Sequence, residues 1–208
     1  MNGTGVDLNL FTFDYYGTWA AFFLNQHGHL YARYGLRKNR ENQDETYMSV
    51  AGLRNVLRQS LEAHQKEGVR KPDPPLPAKP LLPESFAGVP AEMKTGKTCM
   101  HCHHVWSYGE QERPRPFAWT SPEIPLPEKV GLTLDVDQGN LVTAVQPDSP
   151  ASRAGIQPKD RIVAMNGTAV YSGADLSWVV NLLPKGQSIK VELLRGKSRS
   201  DATLVPGK

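Results

Sequence analysis

Ser149-Pro150-Ala151-Ser152-Arg153-Ala154-Gly155-Ile156, followed by Asp160-Arg161-Ile162-Val163-Ala164-Met165-Asn166-Gly167, is the stretch on which the fold of this chain turns. Pro150 starts a short helix, at a position whose N–H would have no partner anyway. Gly155 closes that helix in a conformation with positive φ, which glycine adopts without steric cost. Asn166-Gly167 is the dipeptide of a tight hairpin turn. On the N-terminal side, Gly131–Val136 and Leu141–Val145 read as two strands joined by a turn at Gly139-Asn140. On the C-terminal side, a helix over Asp175–Leu183 is capped near Ser172 and stopped by Pro184. Ser188–Leu194 then alternates as a strand, and Ala202–Val205 closes the sheet.

The ordered run S-P-A-x-x-A-G-I-x-x-x-D-R-I-x-x-x-N-G, set in the segment from about Val130 to Pro206, closely resembles the PDZ domains of bacterial HtrA-type proteases. The resemblance implies a partly open β-barrel with two helices. A partner's C-terminal or internal peptide would add as a strand beside the longer helix, its carboxylate held by backbone amides of the preceding loop. Val130, Gly131, Leu132 and Thr133 resemble the carboxylate loop and strand start, with Leu132, Leu134, Leu176, Val179 and Leu183 as groove walls. The same side chains could instead fill the core. No G-x-S-x-G environment or Ser-His-Asp set accompanies the module, so proteolysis is not carried over with the resemblance.

Both cysteines of the chain fall in Cys99-Met100-His101-Cys102-His103, a C-x-x-C-H arrangement and the attachment signature of c-type haem. Thiols three positions apart on one helical turn can each form a thioether to a porphyrin vinyl group, and His103 is then placed as the proximal iron ligand. Met93 and His64 are the distal candidates, with His27 and His29 further options in the first segment. Phe86, Trp106, Tyr108, Phe117 and Trp119 could cover a porphyrin face, or pack a small core instead. The alternatives are a zinc or copper site that adds His101 or His104 to the thiols, and a plain dithiol or disulfide. A zinc site would place sequence neighbours in poor tetrahedral geometry.

Residues 1–70 read as strand, strand, helix. Phe11–Asp14 leads into the aromatic run Thr18–Leu24, Asn25–Gly28 makes a turn, and His29–Gly35 returns as the second strand of a hairpin. Ser49 is an N-cap for a helix with Val50, Leu53, Val56, Leu57 and Leu61 at helical spacing, ending at Gly68. The pattern F-F-L-N-x-x-G-x-x-Y-x-R-Y-G over Phe22–Gly35, with the helix after it, resembles the C-terminal half of a thioredoxin-like domain. No upstream βα unit with a dithiol precedes it, and Thr18-Trp19 stands where that family has a cis-proline, so its redox chemistry is not implied. Residues 71–127 carry most of the prolines, as in Pro72-Asp73-Pro74-Pro75-Leu76-Pro77, and read as a semi-rigid segment around a small ordered knot that holds the C-x-x-C-H motif.

The expected architecture is therefore α+β: a partial thioredoxin-like unit over 1–70, the proline-rich segment over 71–127 and a PDZ domain over 128–208. A net charge of +3 in 208 residues, without a basic run, gives no footprint for nucleic acid. The longest apolar stretch, Trp19–Leu24, is far shorter than the roughly 20 residues of a membrane span. Residues 1–7 lack the basic and apolar regions of a secretory leader, yet haem attachment implies a periplasmic or other extracytoplasmic site, so removal of a leader is expected. The expected partners are a peptide at the PDZ groove and a redox protein, with pairing of two copies as a way to cover an incomplete sheet edge.

Overall fold

The computed structural model describes residues 3–12, 19–35, 47–109, 126–182 and 186–206. Strands β1 (Ala21–Leu24) and β2 (Leu30–Tyr34) form an antiparallel hairpin, with Phe22 opposite Arg33. The first expected strand, Thr18–Leu24, is formed only from Ala21 onward, and Phe13, Asp14 and Thr18 lie outside the described residues. Helix α1 (Val50–Glu67) is capped as the sequence indicates: Ser49 Oγ accepts the Gly52 N–H at 2.8 Å, and Gly68 ends the helix at φ 70°. Its Val56 is fully buried against Ala32 and Tyr34. Leu57 and Leu61 are each 52% exposed and line an open groove of about 470 Å³ with Phe22–Gln26 of the hairpin.

The middle segment is ordered by a small core of Leu8, Phe86, Val89, Met100 and Val105. Around it lie a 3-10 turn at Pro83–Ser85 and helices α2 (Ala91–Lys94) and α3 (Cys102–Gly109). The start of the chain packs here rather than with the hairpin. Leu8 N–H donates to Leu81 C=O at 2.8 Å, Gly3 N–H to Met100 C=O at 2.6 Å, and Leu81 N–H to Asp7 Oδ1 at 3.1 Å. The division expected at residue 70 thus cuts across two interleaved stretches. Proline density supplies no apolar periodicity, so the partner of this core has to come from a remote segment.

The C-terminal module contains β3 (Leu132–Leu134), β4 (Val142–Val145), α4 (Pro150–Arg153), β5 (Asp160–Met165), β6 (Thr168–Ala169), α5 (Gly173–Leu182), β7 (Ile189–Arg195) and β8 (Ser198–Leu204). β3 pairs with β4, and a four-stranded antiparallel sheet runs in the order β6-β5-β7-β8. A bridge between Leu141 and Arg161 joins the two sheets. The local signals are realised: Ser149 Oγ accepts the Ser152 N–H, and Gly155, Asn166 and Gly167 all take positive φ. One core holds Ile162, Met165, Leu176, Ile189, Val191 and Leu204, each fully buried. Burying six such side chains contributes on the order of 10 kcal/mol at about 1.5–3 kcal/mol each, before the entropy of ordering them is counted.

Candidate functional site

The hairpin unit is fastened to the C-terminal module at the start of α5. Asp175, fully buried there, accepts the Arg33 N–H at 2.8 Å through Oδ1 and the Tyr171 and Ser172 N–H groups at 3.1 and 3.2 Å through Oδ2. Ser172 Oγ donates to Arg33 C=O at 2.6 Å and accepts the Ala174 N–H at 3.1 Å. The Arg33 guanidinium lies 3.9 Å from Asp175 Oδ1, 4.9 Å from the Trp178 ring centre, and donates to Thr12 C=O at 2.6 Å. Burial pushes the Asp175 carboxyl up to about 6 against the pull of Arg33 and the N–H donors, and burial lowers Arg33 to about 10. On the far side, Ser49 Oγ donates to Asp137 Oδ1 at 2.6 Å and Asn55 Nδ2 to Gln138 C=O at 3.0 Å.

Between β3 and α5 the structure brings together Val130, Leu132, Leu134, Leu176 and Val179, while Leu183 lies outside the described residues. Gly131 sits at φ 83°, and a Cβ on it would run into the Ser149 side chain, so glycine is required. Thr133 faces solvent. The expected groove walls Leu132, Leu176 and Val179 are core residues, 0–4% exposed. The PDZ resemblance assigned them to the groove, and Leu176 and Val179 share a face of α5 whose helical spacing does not say what that face meets. Arg33 and Asp175, which decide how α5 is covered, escaped the sequence reading. The signal available was α5 itself: Ala174, Leu176, Trp178, Val179 and Val180 make it apolar on all sides, as only a helix buried all round can be.

The cysteine motif straddles the start of α3. Cys99 and Cys102 are free and exposed, His103 is exposed, and Met100 between the thiols is fully buried in the small core. Cys102 is the first residue of α3, with Cys99 ahead of the helix rather than on its first turn. His104 Nδ1 accepts the His101 N–H at 3.1 Å. The ring centres of His103 and His104 are 4.1 Å apart. Burial, then the neighbouring His103 and His101, lower the His104 pKa.

The two exposed thiols and His103 are of the residue types that would hold a c-type haem. Two thioethers and an axial nitrogen reach separate points of a macrocycle, whereas zinc draws all its ligands within about 2.3 Å of one centre. Among the described residues no three His, Cys, Asp or Glu side chains converge in that way. Of the aromatic residues expected over a porphyrin, Phe86 is a core residue and Tyr108 packs on the same core. Phe117, Trp119 and the Trp106 side chain lie outside the described residues. Met93 packs against the small core beside the motif, but His64 belongs to the hairpin groove, its Nδ1 2.7 Å from Tyr31 Oη.

The C-terminal topology, the Gly131 turn and the α4 cap agree with a match to the PDZ domain family over residues 129–205. Residues 129–205 are a PDZ domain. The chain is similar to magnetosome formation protease MamE of Magnetospirillum gryphiswaldense, at 32% identity over 85 residues, 40% of this chain and 11% of MamE. It is also similar to a probable periplasmic serine endoprotease, DegP-like, of Pseudomonas putida, at 37% identity over 82 residues, 39% of this chain and 17% of that protein. The chain therefore spans less than a fifth of the length of these curated relatives. Among solved structures, the HtrA3 PDZ domain bound to a phage-derived ligand (FGRWV) is 28% identical with a TM-score of 0.30, covering 36% of this chain and 64% of that one. No helix among the described residues is long and apolar enough to cross a membrane.

Proposed function

We propose that this chain is an extracytoplasmic docking protein that carries a c-type haem at Cys99 and Cys102 and presents it to a redox partner recognised by the PDZ domain. The observation that carries the haem reading is the exposure of both thiols and of His103 around a fully buried Met100. Met100 anchors the backbone between the thiols, so that Cys99 and Cys102 face solvent and His103 follows on the first turn of α3. Haem held there by Cys99 and Cys102, with His103 as an iron ligand and Met93 as a candidate for a second, would supply a one-electron carrier. The hairpin and α1, thioredoxin-like in sequence, serve as a scaffold. At the PDZ domain, Val130–Thr133 and the α5 face receive a partner's free C-terminus ending in an apolar residue. The periplasmic assignment printed for a DegP-like relative supports the extracytoplasmic placement.

The test is a pyridine haemochrome spectrum of the protein produced with a secretion leader in a host that attaches haem c. A covalent c-type spectrum that disappears in Cys99→Ala supports the reading. Colourless protein with one zinc per chain would replace it with an adaptor whose Cys/His cluster is structural. Colourless metal-free protein would leave peptide docking alone.

A further inference from the structure

The groove between the hairpin and α1 shares no lining residue with the cysteine motif or the PDZ groove. Of the nine large apolar side chains exposed among the described residues, four stand around it: Leu24, Leu57, Leu61 and Val69. Apolar surface gathered in one place marks an interaction site, whereas scattered single side chains do not. Its volume of about 470 Å³ is that of a small-molecule site. No Asp, Glu, Lys or Arg lines it, and Arg70, whose C=O takes the Asn25 side-chain amide, directs its guanidinium to Glu67 at 2.8 Å. Such a lining penalises a charged ligand and suits a neutral one.

Two polar groups on the groove face of α1 are left over. Leu57, Ser60, Leu61 and His64 follow one another at helical spacing along that face. Ser60 is 5% exposed, and its Oγ has no hydrogen-bond partner, not even the carbonyl of the preceding turn. A buried hydroxyl in that state lacks a partner that a ligand oxygen can supply. His64 engages Tyr31 Oη through Nδ1 at 2.7 Å, while its other ring nitrogen bonds nothing among the described residues.

We propose that this groove binds a small uncharged aromatic ketone, its rings against Leu24, Leu57 and Leu61 and its carbonyl oxygen bonded to Ser60. The aromatic class follows from the walls, where Phe22, Phe23 and Tyr31 offer ring edges and faces to a flat ligand. A carbonyl takes the Ser60 hydrogen without bringing a donor of its own that the apolar walls would leave unpaired. Leu57 and Leu61 are half-exposed, and rotamer changes of such side chains within nanoseconds open the way to the hydroxyl. The site stands independently of haem attachment and of peptide docking.

The probe is benzophenone, a neutral aromatic ketone, titrated into the full chain by ligand-observed NMR and then photo-cross-linked and mapped by peptide mass spectrometry. Diphenylmethane, of the same shape without the oxygen, and 4-benzoylbenzoate, which adds a charge, serve as comparisons. Benzophenone should saturate at one per chain, label residues 22–26 and 57–69, and bind about tenfold tighter than either comparison ligand. Ser60→Ala should make benzophenone and diphenylmethane equal. Leu61→Asp, at an exposed position, should weaken benzophenone by about tenfold or more, and Leu57→Gln repeats the test if that variant fails to fold. Binding that never saturates, labelling outside the two segments, or affinity unchanged in the leucine variants overturns the site. A ketone preference that survives Ser60→Ala overturns the oxygen contact. A dimer in light scattering that dissociates in Leu61→Asp would assign the groove to a second copy of the chain and overturn the ligand.

Discussion

Removing the Asp175 carboxylate tests whether the hairpin unit and the PDZ domain are one folding body. In Asp175→Ala, the N–H groups of Arg33, Tyr171 and Ser172 lose their acceptor in a buried position. Each unsatisfied donor costs about 1–3 kcal/mol. The Arg33 guanidinium, with its side chain 10% exposed, also loses its counter-charge, and breaking a buried pair from one side costs about 3–5 kcal/mol. Water entering the space left by the carboxyl satisfies part of this deficit, so the expected loss is about 3–5 kcal/mol rather than the sum. Arg33→Met keeps an apolar stem near Trp178 and leaves Asp175 its three N–H donors, so it costs less, about 2 kcal/mol. The double variant should fall short of additivity by about 1–2 kcal/mol, because the second change removes a group already orphaned by the first. Urea unfolding followed by tryptophan fluorescence measures all three. A loss under about 1 kcal/mol in Asp175→Ala, or additivity within about 0.5 kcal/mol, would refute the clamp.

The buried carboxylates also predict pH dependences of opposite sign. Asp175 titrates at about 6 in the fold and near 3.8 outside it, so the folded state holds the extra proton between those values. Stability from this group is highest below about pH 4 and declines as pH rises to about 6, a slope that Asp175→Asn should abolish in a urea–pH series. Asp160 behaves in the opposite way: burial pushes its carboxyl up, but the Arg195 side chain at 2.7 and 2.8 Å and the Gln157 N–H bring it below its usual value. Its contribution is present above the ordinary carboxylate pKa and is lost as pH falls through the lowered one, and Asp160→Asn should remove that acid-side loss. Gly52→Ala sets helix propensity, worth about 1 kcal/mol in favour of alanine, against a Cβ that would collide with Val136 C=O and approach Tyr34 Oη to 2.7 Å. The collision involves backbone and should win, giving a net loss of at least about 1 kcal/mol and faster amide exchange at Asp137 and Gln138, whereas a net gain would mean that α1 does not rest on the PDZ domain.

The features legible in the sequence are those encoded within a few residues. Ser49, Ser149, Pro150, Gly155 and Asn166-Gly167 each fix a cap, a helix start or a turn through their own backbone chemistry, and each appears where its neighbours require it. Strand ends were less legible, because β3 needs only three residues to pair with β4 before Asp135 turns away, whereas an apolar alternation continues to Val136. Residues 3–10 gave no signal at all. Their fit to Leu81 and Met100 is carried by single hydrogen bonds and two apolar side chains, Val6 and Leu8, separated by most of the N-terminal region from the core they complete.

The groove shows why a site can be read and the burial of its walls missed. Leu132, Leu176 and Val179 occur at positions that can face either a bound peptide or the interior, and helical or strand periodicity is the same in both cases. What separates the two is the cover on α5, and that cover depends on Arg33 and Tyr34, some 140 residues upstream in the chain. A charged residue in a short strand reads by itself as solvent-facing. Arg33 becomes a buried residue only because Asp175 offers a carboxylate at a helix start already bonded to the Tyr171 and Ser172 amides, and because Trp178 provides a ring for its guanidinium. The same helix therefore carries the core on one side and the hairpin on the other. A change at Arg33 or Asp175 is therefore felt by the PDZ helix as well as by the hairpin unit.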